Sequence, residues 1–237
     1  YLFMDNLEKA KENFIKCLEE DLEDQSALYN VVYCFEFLDQ NQEAIAYLNK
    51  YIDKNPYSEI AWHQLGRLHY GVKEYENAIR AFDYATLIDD EFLGAFMEKA
   101  KAYERLKKYE EAIESYSRTI ELDDATSYAL LRMGKCYEKL GNKALALKHF
   151  NQTVHEDPLL DKGWIAITDF YVRQKNYQKA LFFVNKALAI DNQNHLYWKR
   201  YASINKQMNF FEEAEFGYRK AVEFGETGLE TWLFWVD

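Results

Sequence analysis

Histidines and paired acids are the side chains of this sequence that could perform catalysis or hold a metal. His149 and His155 are six residues apart, so on a helix they point to different faces, and no two His at i and i+4 enclose a Glu, as a helical zinc site requires. The acidic pairs at 89–90 and 123–124 fall near predicted helix ends, where they complement the dipole of the next helix. Acid–base catalysis needs an enclosing pocket that shifts a carboxyl pKa. The sequence therefore predicts no catalytic residue, no metal site and no cofactor.

The elements that position the remaining side chains follow a strict period. Alanine recurs every 34 residues, at Ala10, Ala44, Ala78, Ala112, Ala146, Ala180 and Ala214. A bulky apolar residue follows each alanine by four positions, as Phe82 and Phe150 do. From the second alanine onward another bulky residue precedes the alanine by sixteen positions, as Trp62 and Trp164 do. This period is typical of stacked helix-turn-helix units. Glycine and proline together number eleven, and apolar residues recur at helical spacing, so we predict an all-α fold.

These residues resemble the tetratricopeptide repeat (TPR) family, whose consensus has Trp at position 4, Leu-Gly at 7 and 8, Tyr at 11, Ala at 20, Phe at 24, Ala at 27 and Pro at 32. The repeat that begins at Glu59 matches through Trp62, Leu65, Gly66, Ala78, Phe82 and Ala85. The repeat from Ser127 matches through Leu130, Met133, Gly134, Tyr137, Ala146, Phe150 and Pro158. The resemblance covers essentially the whole chain and implies a right-handed superhelical solenoid of stacked helix-turn-helix TPR units.

Four residues depart from that consensus. Asn205 replaces the aromatic residue at position 11, Lys99 and Tyr201 stand where Leu is usual, and Thr168 replaces the small residue at position 8. We expect the same fold there, with less tight packing at those joints.

The register divides the chain into six full repeats, at residues 25–58, 59–92, 93–126, 127–160, 161–194 and 195–228. Residues 1–24 are predicted to belong to an earlier, partial repeat, and residues 229–237 to start a further one. Solenoid ends are normally capped by a polar face, whereas this sequence ends on Trp232, Phe234 and Trp235. We therefore predict a single TPR array over residues 1–237, cut from a longer chain, with self-association through its C-terminal end.

The three cysteines are predicted to be small buried apolar side chains. Cys34 and Cys136 both occupy position 10, three repeats apart, so they cannot meet in a linear stack. Cys17 takes the slot of the small residue at position 27. A packing role is favoured over a redox or metal role, and a reducing cytoplasmic location is expected. No apolar run is long enough to span a membrane, so we expect no membrane partner.

Basic residues concentrate on one predicted face. In the TPR family the first helix of each repeat lines the concave face through positions 2, 5, 6, 9, 12 and 13, which we call the first-helix face. It has five acidic residues, Glu36, Glu98, Glu104, Glu138 and Asp169, and eleven basic residues: Arg67, Lys101, Arg105, Arg132, Lys135, Lys139, Lys162, Arg173, Lys199, Arg200 and Lys206.

The face therefore carries +6, whereas the whole chain carries −11, which leaves −17 for the remainder. Clustered like charge steers oppositely charged ligands, so we predict that this face binds an acidic segment. The alternative is that these charges are solvated or paired with one another. Nucleic acid is not expected as a partner, because the isoelectric point is near 5.1.

Aromatic side chains mark the N-terminal end of the same face. Tyr29, Tyr33 and Phe37 stand at i, i+4 and i+8, one stripe of a helix, and Tyr70 and Tyr128 add further rings. Rigid aromatic side chains are favoured anchors at binding hot spots. The alternative is that this stripe packs on its neighbours or on a missing repeat.

The resemblance also allows a check for the carboxylate clamp with which some TPR proteins hold a chaperone C-terminus. That clamp needs Lys at position 5 and Asn at position 9 of one repeat. Lys199 is the Lys found at position 5, and Ser203 follows it at position 9, so the pair is missing and this function is not expected.

We predict a non-enzymatic scaffold or adaptor that binds an acidic peptide segment of another protein on its concave face. The alternative is a recruiting arm of a larger polypeptide whose catalytic or signalling domain lies outside these residues.

Overall fold

The computed structural model describes residues 2–122 and 127–225, and in these ranges every regular element is an α-helix. The thirteen helices are α1 (Leu2–Glu20), α2 (Gln25–Phe37), α3 (Asn41–Lys54), α4 (Glu59–Gly71), α5 (Tyr75–Ile88), α6 (Leu93–Arg105), α7 (Tyr109–Leu122), α8 (Ser127–Lys139), α9 (Lys143–Glu156), α10 (Asp161–Arg173), α11 (Tyr177–Ile190), α12 (His195–Gln207) and α13 (Phe211–Glu223). The predicted all-α fold class is confirmed.

The helices group into two compact units, Tyr1–Asp124 and Ala125–Asp237. In the N-terminal unit, α2 packs on α3, α4 on α5 and α6 on α7, while α3 contacts α4 and α5 contacts α6. In the C-terminal unit, α8 packs on α9, α10 on α11 and α12 on α13, while α9 contacts α10 and α11 contacts α12. Each unit is thus a stack of helical hairpins. The single array over residues 1–237 and its repeat boundaries stay a prediction.

Polar side chains fix where several helices begin. The Asp24 carboxylate accepts a hydrogen bond from the Ala27 amide at 2.9 Å at the start of α2, and the Ser58 hydroxyl accepts one from the Ala61 amide at 3.2 Å at the start of α4. Each satisfies an N–H group that has no partner within the helix. These caps define the first residues of α2 and α4.

The first helix of every hairpin ends in the same turn. One residue per repeat adopts the left-handed region, namely Asp39, Lys73, Lys107, Gly141, Lys175 and Asn209, with φ between 56° and 78°. The next amide then donates to the carbonyl five residues back, as Glu74 N does to His69 O at 2.8 Å. This is the Schellman arrangement that satisfies helix C-terminal carbonyls.

The alanine column lies in the core of the hairpins. Ala44, Ala78, Ala112, Ala146, Ala180 and Ala214 are all fully buried. Position 8 is packed as closely, since a Cβ added to Gly66 or to Gly134 would lie 2.5 Å from the ring of Phe82 or Phe150. Bulky side chains at position 24 therefore require a small residue at position 8 of the same hairpin.

The predicted loose joints are packed. Thr168, at position 8, is fully buried in the hairpin whose position 24 is the smaller Val184, also fully buried. Asn205 is 1% exposed and its Nδ2 donates to the Tyr201 carbonyl at 2.9 Å. Lys99 lies 3.0 Å from Asp83 Oδ1. The expectation of less tight packing is wrong at Thr168 and Asn205, because a smaller partner or a main-chain hydrogen bond compensates for the substitution.

The prediction for the cysteines is correct for two of them and wrong for the third. Cys34 and Cys136 are buried, and burial raises the pKa of the Cys34 thiol. Cys17 is exposed. Its helix α1 packs chiefly on α2 among the described helices, so the side of α1 that carries Cys17 lacks the cover that position 27 has in later hairpins.

Several predictions concern residues outside the described ranges. Trp232, Phe234 and Trp235, with the self-association expected of them, lie there, as do residues 123–124. Within the described ranges, no helix has the length and apolar character needed to cross a membrane.

Candidate functional site

The predicted aromatic stripe lies on α2 and is solvent-accessible. Tyr29 is 43% exposed, and Tyr33 and Phe37 are each 51% exposed. The rings of Tyr33 and Phe37 lie 4.5 Å apart between centroids, tilted by 38°. The stripe therefore presents apolar ring area to solvent and is not buried by packing on neighbouring helices of the N-terminal unit.

A hollow of about 270 Å³ opens beside this stripe, between α2 and α4. Its lining residues are Tyr29, Asn30, Val32, Tyr33, Glu36, Gln64 and Arg67. Arg67 Nη1 donates to Gln64 Oε1 at 2.8 Å, and Arg67 Nη2 lies 3.8 Å from Glu36 Oε1. Arg67 therefore forms one side of the hollow and is held there by residues of both helices.

A second hollow of about 210 Å³ lies between α4 and α6. Arg67 also lines this one, together with Tyr70, Gly71, Glu98 and Lys101. Arg105 Nε donates to the Tyr70 hydroxyl at 3.0 Å, with the guanidinium 6.0 Å from the ring centroid. The structure thus brings together three of the predicted site residues of this unit, Arg67, Tyr70 and Lys101, around one cavity.

His63, at position 5 of its repeat, is largely buried. It is 9% exposed and its ring lies 4.7 Å from that of Phe92. Its Nε2 is 3.0 Å from Glu98 Oε2, within ion-pair distance but without hydrogen-bond geometry. The side chain joins α4 to α6 and contributes little surface to a ligand.

In the C-terminal unit two predicted site arginines form ion pairs between adjacent hairpins. Arg200 donates to both carboxylate oxygens of Asp169, at 2.9 and 3.2 Å, and Arg173 donates to Glu138. Bidentate arginine–carboxylate pairs combine charge with fixed geometry. These contacts show that facing positions of α8 and α10, and of α10 and α12, meet on the same face.

The other predicted site residues of this unit also lie on its first helices. Tyr128 is 42% exposed and Lys139 is exposed. Arg132, Lys135 and Lys199 are partly exposed. These side chains are accessible to solvent, so the first-helix face of this unit is a charged surface and not a pocket.

The positive charge of the first-helix face is divided unequally between the two units. In the N-terminal unit, Arg67, Lys101 and Arg105 stand against Glu36, Glu98 and Glu104, so the face is neutral. In the C-terminal unit there are eight basic and two acidic residues, so this unit carries the whole +6. The two acids there are the partners of Arg173 and Arg200.

Sequence reasoning missed Gln64, which occupies position 6 of its repeat. It is 1% exposed, lines the hollow beside Tyr29 and holds Arg67. The signal available in the sequence was a polar residue at position 6, which the TPR register assigns to the first-helix face. In the described part of the chain, no three His, Cys, Asp or Glu side chains are grouped to hold a metal ion.

Helical hairpins that repeat with a common turn and an alanine column define a helical-repeat protein. Family profiles of the tetratricopeptide repeat match residues 63–127 and 97–161, and another matches residues 26–58. The chain belongs to the tetratricopeptide repeat family, which confirms the resemblance seen in the sequence. No curated protein matches the sequence.

Solved TPR structures share the fold at low sequence identity. The C-terminal part of a TPR repeat-containing protein from Cytophaga hutchinsonii superposes with a TM-score of 0.74 at 13% identity, covering 97% of this chain and 94% of that one. YrrB, described as a TPR protein with an unusual peptide-binding site, has a TM-score of 0.59 at 17% identity, covering 78% and 96%. The hetero-tetramer Cut9–Hcn1 of the APC/C has a chain with a TM-score of 0.63 at 15% identity, covering 97% and 46%.

Proposed function

We propose that this chain is a non-enzymatic scaffold for protein–protein interaction, and that the first-helix face of its C-terminal unit binds an acidic segment of another protein. Repeat arrays use such extended faces to bind partners. Two of the structurally similar proteins support the general role, since one is described by its peptide-binding site and another as part of a hetero-tetramer.

The observation that carries the proposal is the local charge of the C-terminal unit. Eight basic residues on α8, α10 and α12 face two acidic ones, and both acids already lie in ion pairs with Arg173 and Arg200. The net +6 of this face stands out in a chain whose total charge is −11. Such a field raises the local concentration of acidic ligands and speeds their association.

Two arginines of this face have a structural role. Arg200 donates to both oxygens of the Asp169 carboxylate and Arg173 donates to Glu138, so each connects two adjacent hairpins. We therefore expect Arg173 and Arg200 to hold adjacent hairpins in place, while the summed charge of the face, which includes Arg132, Lys135, Lys139 and Lys199, attracts the ligand.

The test is a charge reversal. A fluorescein-labelled peptide of alternating Glu and Ser is titrated with the wild type and with the double variant Arg132→Glu, Lys135→Glu, and anisotropy is recorded. We expect binding to weaken by about tenfold, mostly through slower association, and wild-type binding to weaken as salt shortens the screening length from about 8 Å at physiological strength.

The matched control is Lys148→Glu, Lys175→Glu. Both lysines are exposed, lie off the first-helix face of the same unit, and produce the same change in net charge. Their reversal should alter affinity much less than that of Arg132 and Lys135. Equal weakening by both double variants would mean that overall charge, and not this face, attracts the peptide. Unchanged affinity in the Arg132 and Lys135 variant would remove the face as the binding site.

A further inference from the structure

Two phenylalanine rings are exposed on neighbouring second helices of the C-terminal unit. Phe182 on α11 is 58% exposed, and Phe216 on α13 is 46% exposed. The ring of Phe182 lies 5.1 Å from that of Phe183, and the ring of Phe216 lies 5.7 Å from that of Trp198, both edge to face. Each exposed ring is thus held by a second ring of its own hairpin and presents on the order of 100 Å² to solvent.

These two rings belong to one surface. Both stand at position 22 of the register, on successive hairpins, and a repeat array places equivalent positions of successive hairpins side by side. Trp198, which contacts Phe216, also packs on the core cluster that contains Val184 of α11. We call Phe182 and Phe216 the phenylalanine pair. Position 22 is not part of the first-helix face, so the pair lies outside the surface assigned to the acidic ligand.

The two helices that carry the phenylalanine pair have opposite charge. Helix α11 contains Lys179 and Lys186, both exposed, and no acidic residue. Helix α13 contains four glutamates and two basic residues, so its net charge is −2. Each basic residue lies 2.7 Å from a glutamate of the same helix. The other two glutamates, Glu212 and Glu213, are exposed in its first turn.

We propose that a second copy of this chain packs on the phenylalanine pair about a two-fold axis parallel to α11 and α13. Such an axis keeps the direction of the helices and exchanges them, so α11 lies on α13 of the second copy and every contact occurs twice. Phe182 then packs on Phe216 of the second copy. Lys179 precedes Phe182 by three residues, as Glu213 precedes Phe216, so Lys179 lies opposite Glu213 of the second copy.

The partner is a second copy because this surface complements itself. It joins a basic helix to an acidic one, with the charges at the same spacing from the two rings. The rings supply only about a quarter of the roughly 800 Å² that each partner buries in a standard interface. We therefore expect a weak dimer, with a dissociation constant of about 100 µM. The inference goes beyond the proposed function, since it concerns the second helices.

The test of the charges is sedimentation velocity of the 237-residue chain between about 10 µM and about 1 mM. Lys179→Glu and Glu213→Lys should each weaken the dimer about tenfold, because each places like charges opposite one another twice. The double variant Lys179→Glu, Glu213→Lys reverses the pair and should restore the wild-type affinity. The single changes alter net charge in opposite directions, so overall charge cannot explain a loss in both.

The test of the rings is Phe182→Ser, which removes an apolar contact twice and should weaken the dimer by about tenfold or more. Tyr57→Ser is its control, since Tyr57 is 80% exposed and belongs to the N-terminal unit. Lys50→Glu, at an exposed lysine of α3, is the control for Lys179→Glu. Both controls should leave the dimer nearly unchanged. Circular dichroism verifies that each variant keeps its helices.

Several results would overturn the inference. These are a monomer at every concentration, an unchanged dimer in Phe182→Ser, or a double charge variant that dimerises no better than the single ones. Loss of the dimer in Trp232→Ser, Trp235→Ser but not in Phe182→Ser would assign association to the C-terminal end instead. Binding of the Glu/Ser peptide should be the same in Phe182→Ser as in the wild type. A peptide that fails to bind either refutes the proposed function and leaves the dimer result standing.

Discussion

The turn after each first helix allows the energetics of the fold to be tested at three equivalent places. Lys73, Lys107 and Lys175 adopt φ values of 67°, 60° and 56°, and Gly141 occupies the same position of another repeat with φ of 78°. All three lysines are exposed. Replacing them by Gly therefore changes backbone strain with little loss of side-chain contact.

The expected magnitude follows from three opposing effects. A non-glycine residue in the left-handed region costs about 1–2 kcal/mol. Glycine loses about 0.5–1 kcal/mol more conformational entropy on folding, and the favourable interaction of a lysine with the helix C-terminus is worth about 0.3 kcal/mol when exposed. Relief of strain outweighs the other two effects, so each Lys→Gly change should stabilise the fold by about 0.5 kcal/mol. The three sites lie in different hairpins, so we expect the effects to add to about 1.5 kcal/mol in the triple variant.

Urea unfolding followed by circular dichroism measures this gain as a higher midpoint at an unchanged slope. Gly141→Lys is the reverse control and should lose about 0.5 kcal/mol, because it introduces the strain that the other changes remove. If the triple variant were no more stable than the wild type while Gly141→Lys were neutral too, the turns would not be strained and the reasoning would be refuted.

Two further changes probe the core of each unit. Ala112→Leu, at a fully buried site on α7, should lower the free energy of unfolding by about 1–3 kcal/mol through overpacking. Hydrogen exchange should show protection lost mainly in α6 and α7. A uniform loss along the chain would contradict a repeat-by-repeat organisation. His149 stacks on Tyr137 at 5.2 Å, and burial, with a smaller effect of Lys148, lowers its pKa. Because the unfolded chain binds the proton more tightly, the free energy of unfolding should fall as the pH drops through the ordinary histidine range. His149→Phe keeps the stacking and should reduce this loss between about pH 7.5 and pH 5.5. An identical pH dependence in both proteins would show that His149 does not contribute.

Much of the fold could be predicted from the sequence because its signals are local and repeated. The alanine at position 20 and the bulky residue at position 24 recur at a fixed interval, since helices of constant length must meet at the same place in every hairpin. Burial of Ala78 and Phe82 follows directly from that pattern. The alternative that this chain is the recruiting arm of a larger polypeptide stays a prediction, which the complete gene sequence would test.

The candidate site could be predicted less well, because register assigns a residue to a face but does not choose its partner. The sequence placed Arg173 and Arg200 among the ligand-binding cations, whereas the structure pairs them with Glu138 and Asp169 of the preceding hairpin. These partners are 35 and 31 residues away, and their contact depends on the stacking of two hairpins. No spacing within a single helix could have indicated it.

The sequence by itself therefore determined the helical class, the repeat length, the core columns and the side of each hairpin that carries charge. The tertiary structure decided which side chains on that side are engaged and which line a cavity. Gln64 shows the difference: its register position was known, but its burial, its contact with Arg67 and its place beside Tyr29 arise where α2 and α4 pack together. Periodic patterns record the geometry of one helix, whereas hydrogen-bond partners and cavities are set by distances between helices that come together only when the chain folds.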